Sequence, residues 1–156
     1  MDEIRDCQPS DVENIASLWH IAWHSAHGEI VPAELVKLRT LDSFIQRTGD
    51  LVDQIRIGGK GAVQGFSITR EGELYQLYVS TMAQGTGLAK RLIDDAESRI
   101  GAGGHSRAWL ICAVGNERAA AFYRKCGWEL METETHELDT LGDAFMLDCW
   151  RFEKAL

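Results

Sequence analysis

Two hydrophobic periods alternate along the chain, and each change of period marks an element. In "PSDVENIASLWHIAWH", Val12, Ile15, Ala16, Trp19, Ala22 and Trp23 recur at three- and four-residue spacing, which puts them on one stripe of a helix. Ser10 and Glu13 at its start have the form of a capping box, Ser10 accepting from the Glu13 amide while Glu13 reaches back. After "GEIVP", the segment "AELVKLRTLDSFIQRT" carries Leu38, Leu41, Phe44 and Ile45 and predicts a second, less regular helical region. "VDQIRIGGKGAVQGFSITREGELYQLYVS" changes to short apolar runs, predicting two strands around a glycine-rich turn and a third strand entered through "EGE". A loop comes next, then a helix with Ala89, Leu92, Ile93, Ala96 and Ile100 on one stripe, closed by the breaker "GAGG". "RAWLICAV" predicts a fourth, buried strand, and "NERAAAFYRKCGW" a helix with Asn116 at its N-cap and Gly127 just past its end. "WELMETETHEL" and "AFMLDCWRFEKAL" complete the pattern as two strands. The sum is a mixed α/β sheet with a β-loop-α-β-α unit at its middle.

Composition narrows this picture. No repeat, low-complexity tract or charged linker divides the 156 residues, so residues 1–156 read as a single domain. The chain is 45% hydrophobic and 26% charged, as a soluble globular protein would be, and no apolar run approaches the ~20 residues of a membrane span. The start "MDEIRD" lacks the basic-then-apolar order of a secretion signal, so a cytoplasmic setting is expected. Cys7, Cys112, Cys126 and Cys149 form no CxxC pair and are expected to be small buried hydrophobes rather than a disulfide or zinc framework. A formal net charge of -8 argues against general nucleic-acid binding and tolerates a cationic acceptor.

The candidate chemistry lies in "LYQLYVSTMAQGTGLAKRLI", where a buried strand runs through two glycines into a helix. A helix N-terminus exposes unpaired amides and a partial positive charge, and glycines there let an anion approach the backbone. The Walker pattern GxxxxGK[ST] is absent. A Rossmann fingerprint would need glycine where Lys90 stands and an acid where His105, Ser106 and Arg107 stand. "QGTGLA" instead resembles the Q/R-x-x-G-x-G/A signature of the GNAT superfamily of acyl-CoA N-acyltransferases. The "LYV" before it resembles the family's central strand, and the Asn, "FY" and Gly-aromatic of "GNERAAAFYRKCGW" resemble its later helix, so the likeness spans essentially the whole chain.

The resemblance implies the GNAT fold, a mixed, mostly antiparallel central sheet flanked by helices, and transfer of an acetyl group from acetyl-CoA to a primary amine in a ternary complex. By resemblance, the loop Gln84, Gly85, Thr86, Gly87, Leu88 and Ala89 would hold the coenzyme A pyrophosphate, with Lys90 as a nearby charge. Leu77, Tyr78 and Val79 would offer backbone groups to the pantetheine arm where the sheet opens, an amide around Leu77 serving as oxyanion hole. Tyr123 matches the tyrosine that protonates the leaving sulfur, and Asn116 would reach the pantetheine or thioester; from spacing alone they read as a core tyrosine and a helix cap. Glu73 matches a catalytic glutamate of some members, although a charged turn is ordinarily just solvated, and Gln76 could orient a base.

His20, His24 and His27 share a stripe if the first helix runs to its end. HxxxHxxH lacks the glutamate of HExxH, so no metal is expected. The resemblance implies that Trp23, His24 and His27 lie on the acceptor wall, His24 or His27 as reserve base. By spacing, Trp19 and Trp23 belong to the core stripe. The acceptor is expected to be a small-molecule amine or a peptide N-terminus, with homodimerisation through the terminal strands left open. Two competing readings are a non-catalytic acyl-CoA-binding sensor of the same fold and a regulatory domain using the glycine loop for ATP or NAD.

Overall fold

The computed structural model describes residues 4–142 and 144–156. Seven strands form one sheet: β1 Ile4–Asp6, β2 Ile55–Gly58, β3 Gly65–Arg70, β4 Glu73–Val79, β5 Arg107–Ala113, β6 Glu129–Leu138 and β7 Phe145–Ala155. Their order is β1-β2-β3-β4-β5-β7-β6, and every pairing is antiparallel except that of β4 with β5. The helices are α1 Val12–His27, α2 Ala33–Leu38, α3 Leu41–Asp50, α4 Leu88–Ala102 and α5 Glu117–Lys125. Among them none is long and apolar enough to cross a membrane. This is the mixed, mostly antiparallel α/β sheet that the sequence predicts.

Local structure departs from expectation in three places. β1 has three residues, too few to show an alternation. The Ser10–Glu13 capping box gives way to a turn at Pro9–Asp11, where the Asp11 carboxylate accepts from the Gln8 amide at 2.8 Å and from Arg5. The second helical region splits at Arg39 and Thr40, because the Thr40 hydroxyl accepts from the Ser43 amide and starts a new helix. That break changes what faces inward: Phe44 is buried with Arg39 and Arg47, while Leu38 and Leu41 are exposed.

The core lies in two main clusters. One holds Trp19, Phe44, Phe66 and Ile68 beneath α1 and α3; the other holds Ile93, Ala96, Leu110, Ala120 and Phe152 beneath α4 and α5. On α4, Leu88 joins the buried stripe, with Ala89 only half-buried. A Cβ on Gly58 would lie 2.6 Å from Leu88 Cδ1, and one on Gly65 would lie 3.0 Å from Leu92 Cδ1. Glycine at both strand positions lets α4 sit close to the sheet, which fixes the glycine loop at its start. All four cysteines are free and buried.

Candidate active site

β4 and β5 pair at one position, Glu73 with Trp109, where the Trp109 amide donates to the Gly72 carbonyl at 3.1 Å. The β3–β4 ladder explains why they part. Thr69 faces Leu74 and Ile68 faces Gln76, so Tyr75 is an extra residue in β4, a bulge. A bulge bends its strand and reverses which face the following side chains take. The two strands diverge beyond it, and a cavity of about 170 Å³ fills the gap between Glu73, Leu77 and Tyr78 on one side and Cys112, Ala113 and Tyr123 on the other.

The bulge also decides which backbone groups are free. Ser80 donates its amide to the Gln64 carbonyl just before β3, so the peptide groups of Gln76 and Tyr78 also face β3. By alternation, the amides of Leu77 and Val79 point the other way, to the open edge of β4. Of the sequence-predicted triplet, Leu77 and Val79 thus offer backbone to the gap, and Tyr78 offers its ring, packed 5.9 Å from Phe66.

At the mouth of this gap, Gly85 and Gly87 have left-handed φ of 80° and 87°, conformations that side chains resist. Gly87 is the N-cap of α4, whose first amides have no carbonyl one turn earlier to bond. The Thr86 hydroxyl donates to the Ala83 carbonyl and holds the loop's shape. Cations surround it: Lys90 pairs with Asp94, Arg91 Nη1 reaches the Thr86 carbonyl, and Arg118 of α5 donates to the Gln84 side chain at 2.8 Å. Arg118 is a contact sequence reasoning missed, because it joins elements far apart in the chain. Amides without a carbonyl partner in the helix and nearby cations fit a pyrophosphate.

Tyr123 is half-buried, its ring 5.9 Å from Phe152 and 6.3 Å from Trp128, and burial pushes its phenol up, leaving it protonated at neutral pH. Cys112, on the same side of the gap, is likewise pushed up by burial, to about 12, and stays a thiol. Asn116 caps α5, accepting from the Ala119 amide, and lines the cavity.

Glu73 is 7% exposed rather than solvated. Burial raises its pKa, against an opposing pull from Arg70, whose Nη2 lies 3.1 Å from Oε1. A buried carboxylate beside a single guanidinium group can accept a proton from a neighbouring ammonium. Gln76 lines the same wall.

The three helix-one histidines part company. His27 stacks on Trp23 at 4.9 Å, with Nδ1 3.0 Å from the Trp23 carbonyl, so that nitrogen carries the proton. Burial lowers its pKa and keeps the ring neutral, and both His27 and Trp23 line the cavity. His24 lies outside the lining, with Nε2 2.6 Å from the Arg39 carbonyl, and His20 packs against its ring. Sequence reasoning missed the rest of this wall: Arg39, Arg47, Arg70, Tyr75 and Asp139. The one signal was Arg47 at i+3 from Phe44, which puts it on the buried stripe of α3.

A GCN5-related N-acetyltransferase from Rhodopseudomonas palustris superposes with a TM-score of 0.79 at 20% identity, over 100% of this chain and 96% of that one. PaiA N-acetyltransferase from Thermoplasma acidophilum, crystallised with coenzyme A, gives 0.70 at 19% identity over 100% and 99%. A ribosomal-protein-alanine N-acetyltransferase from Brucella melitensis gives 0.74 at 18% over 99% of each chain. No curated protein sequence matches the chain. These likenesses establish the fold alone. The acetyltransferase (GNAT) family model matches residues 47–128, which run from the end of α3 through β4, its bulge and the glycine loop to Trp128. The chain belongs to the GNAT acetyltransferase family.

Proposed function

We propose that the protein transfers the acetyl group of acetyl-CoA to a primary amine by direct attack in a ternary complex. The observation that carries this reading is the gap between β4 and β5, with the buried carboxylate of Glu73 and the protonated phenol of Tyr123 both lining it. The coenzyme A bound to the Thermoplasma neighbour supports the donor. In this reading the amides around Gly85, Gly87 and Ala89 hold the pyrophosphate, Lys90 and Arg118 add charge, and the free edge of β4 at Leu77 and Val79 pairs with the amide-bearing pantetheine arm as an added strand would.

Acetyl-CoA supplies an activated acyl carbon and a thiolate leaving group. Glu73 removes a proton from the acceptor ammonium, directly or through water, and frees its lone pair. The Leu77 amide donates to the carbonyl oxygen as charge builds there. Tyr123 protonates the sulfur as the C–S bond breaks and recovers a proton from the nitrogen that has formed the new C–N bond. One proton passes from Glu73 to solvent in each turnover, which balances ammonium plus thioester against amide plus thiol.

Tyr123→Phe and Glu73→Gln test these roles. Each is expected to lower kcat about 100-fold or more while coenzyme A affinity stays near wild type. Wild-type turnover in Tyr123→Phe would return that residue to the core, and in Glu73→Gln would remove the base.

A further inference from the structure

Beyond Glu73, the cavity wall holds a charge arrangement that the transfer chemistry does not use. Arg39 and Arg47 are 4% and 7% exposed. Arg47 donates from Nη2 to the Tyr75 hydroxyl at 2.7 Å, and its Nε and Nη1 are buried with no hydrogen-bond partner. Arg39 donates from Nη1 to the Asp139 carbonyl at 2.5 Å, and its Nε is likewise unpartnered. Aromatic faces take the place of counter-ions: Arg47 sits 4.3 Å from the Trp19 ring centroid and Arg39 sits 5.7 Å from that of Trp23.

The carboxylates nearby neutralise this pair only in part: the Asp139 charge acts on both guanidinium groups, and its carboxylate accepts from the Tyr75 hydroxyl that Arg47 holds, without an ion pair to either arginine. Glu73 and Asp139 are both ion-paired to Arg70, Asp139 from an exposed position, and Glu137 lies exposed on the rim. Among the described residues neither Arg39 nor Arg47 has an acidic partner. Two buried cations side by side are costly unless something anionic joins them. The strain registers on Arg39, whose pKa burial and then the Arg47 charge pull down to about 10.

We infer that the acceptor is a short amine that carries a carboxylate, which Arg39 and Arg47 bind while its amino group faces Glu73. The inference rests on the amine acetylation proposed above and names its substrate class. Guanidinium groups match a carboxylate in shape and charge, and a desolvated pair of them favours that anion over a neutral group. Arg39, Arg47 and Glu73 line the same cavity, so one short molecule can carry its carboxylate to the guanidinium groups and its amine to Glu73.

The test is thermal unfolding of the full chain, with and without coenzyme A, in the presence of amino acids of increasing length from glycine to 6-aminohexanoate, each against its own carboxamide. At least one carboxylate should bind tenfold or more tightly than its carboxamide, and Arg47→Gln or Arg39→Gln should remove the difference without altering the shift produced by acetyl-CoA. Should Arg47→Gln fail to fold, Arg47→Lys keeps the charge and loses the planar fork, and it should weaken the carboxylate alone. Equal binding of both members throughout, no binding by any member, or equal stabilisation by a C-terminally amidated peptide would overturn the inference. Loss of the acetyl-CoA shift itself would instead overturn the donor assignment, so the two failures are separable.

Discussion

The two sides of the proposed site are built in opposite ways. The donor end is made from backbone: a loop whose glycines at 85 and 87 adopt left-handed φ, the first amides of α4, and the free edge of β4 beyond the Tyr75 bulge. The acceptor end is made from side chains supplied by separate segments, with Arg39 after α2, Arg47 on α3, Glu73 and Tyr75 on β4, and Asp139 after β6. A backbone site needs only a short local sequence that leaves amides free, and it can serve any chain that binds the same donor. A side-chain site depends on which residues the tertiary fold happens to bring together, so it can be changed residue by residue without disturbing the donor end.

The sharpest way to break this comparison is Gly87→Glu. It places a side chain at φ 87° and a carboxylate where the pyrophosphate is proposed to sit, with Arg91 Nη1 only 3.2 Å from the new Cβ. Coenzyme A affinity measured by calorimetry should fall by about 100-fold or more, since the helix terminus loses its access and gains a repelling charge. Binding of a carboxylate-bearing amine should change little. Equal loss at both ends would mean that they are one site rather than two.

A smaller effect sharpens the acceptor side. Glu73 must be ionised to accept a proton, so kcat/KM should fall as pH drops through its pKa, which burial holds above the ordinary carboxylate range. Arg70 opposes that rise by ion pairing at 3.1 Å. Arg70→Gln should therefore shift the acid limb of the pH profile to higher pH, and activity at pH 6 should fall more than activity at pH 8. A limb that stays in place would show that Glu73 does not govern it.

The same contrast explains what the sequence made legible. Helical stripes such as Ile15, Trp19 and Trp23, or Leu92, Ile93 and Ala96, predicted α1 and α4 because burial repeats every turn. The loop "QGTGLA" was readable because its chemistry is local. β1 was not, since three residues carry no period, and the α2–α3 break was hidden by apolar positions that continue across Arg39 and Thr40. Arg39 was invisible, and Arg47 nearly so apart from its place three residues after Phe44, for a deeper reason: a charged residue counts as solvent-facing in any hydrophobic pattern, and the packing of Trp19, Trp23 and Phe44 around them reveals that they are buried. Glu73 stood out only through the family resemblance, since by pattern alone a charged turn reads as solvated. The His20, His24 and His27 stripe is real, yet it does not act as a unit, because His24 turns to the Arg39 carbonyl while His27 stacks on Trp23.

Thermal unfolding with excess acetyl-CoA, ATP or NAD in parallel asks whether the glycine loop and the free edge of β4 hold acetyl-CoA. A ligand bound only by the folded chain stabilises it by RT ln(1 + [L]/Kd), about 2.7 kcal/mol at a hundredfold excess over Kd. A clear rise in Tm is expected with acetyl-CoA and none of comparable size with ATP or NAD. A rise with either nucleotide and none with acetyl-CoA would contradict it.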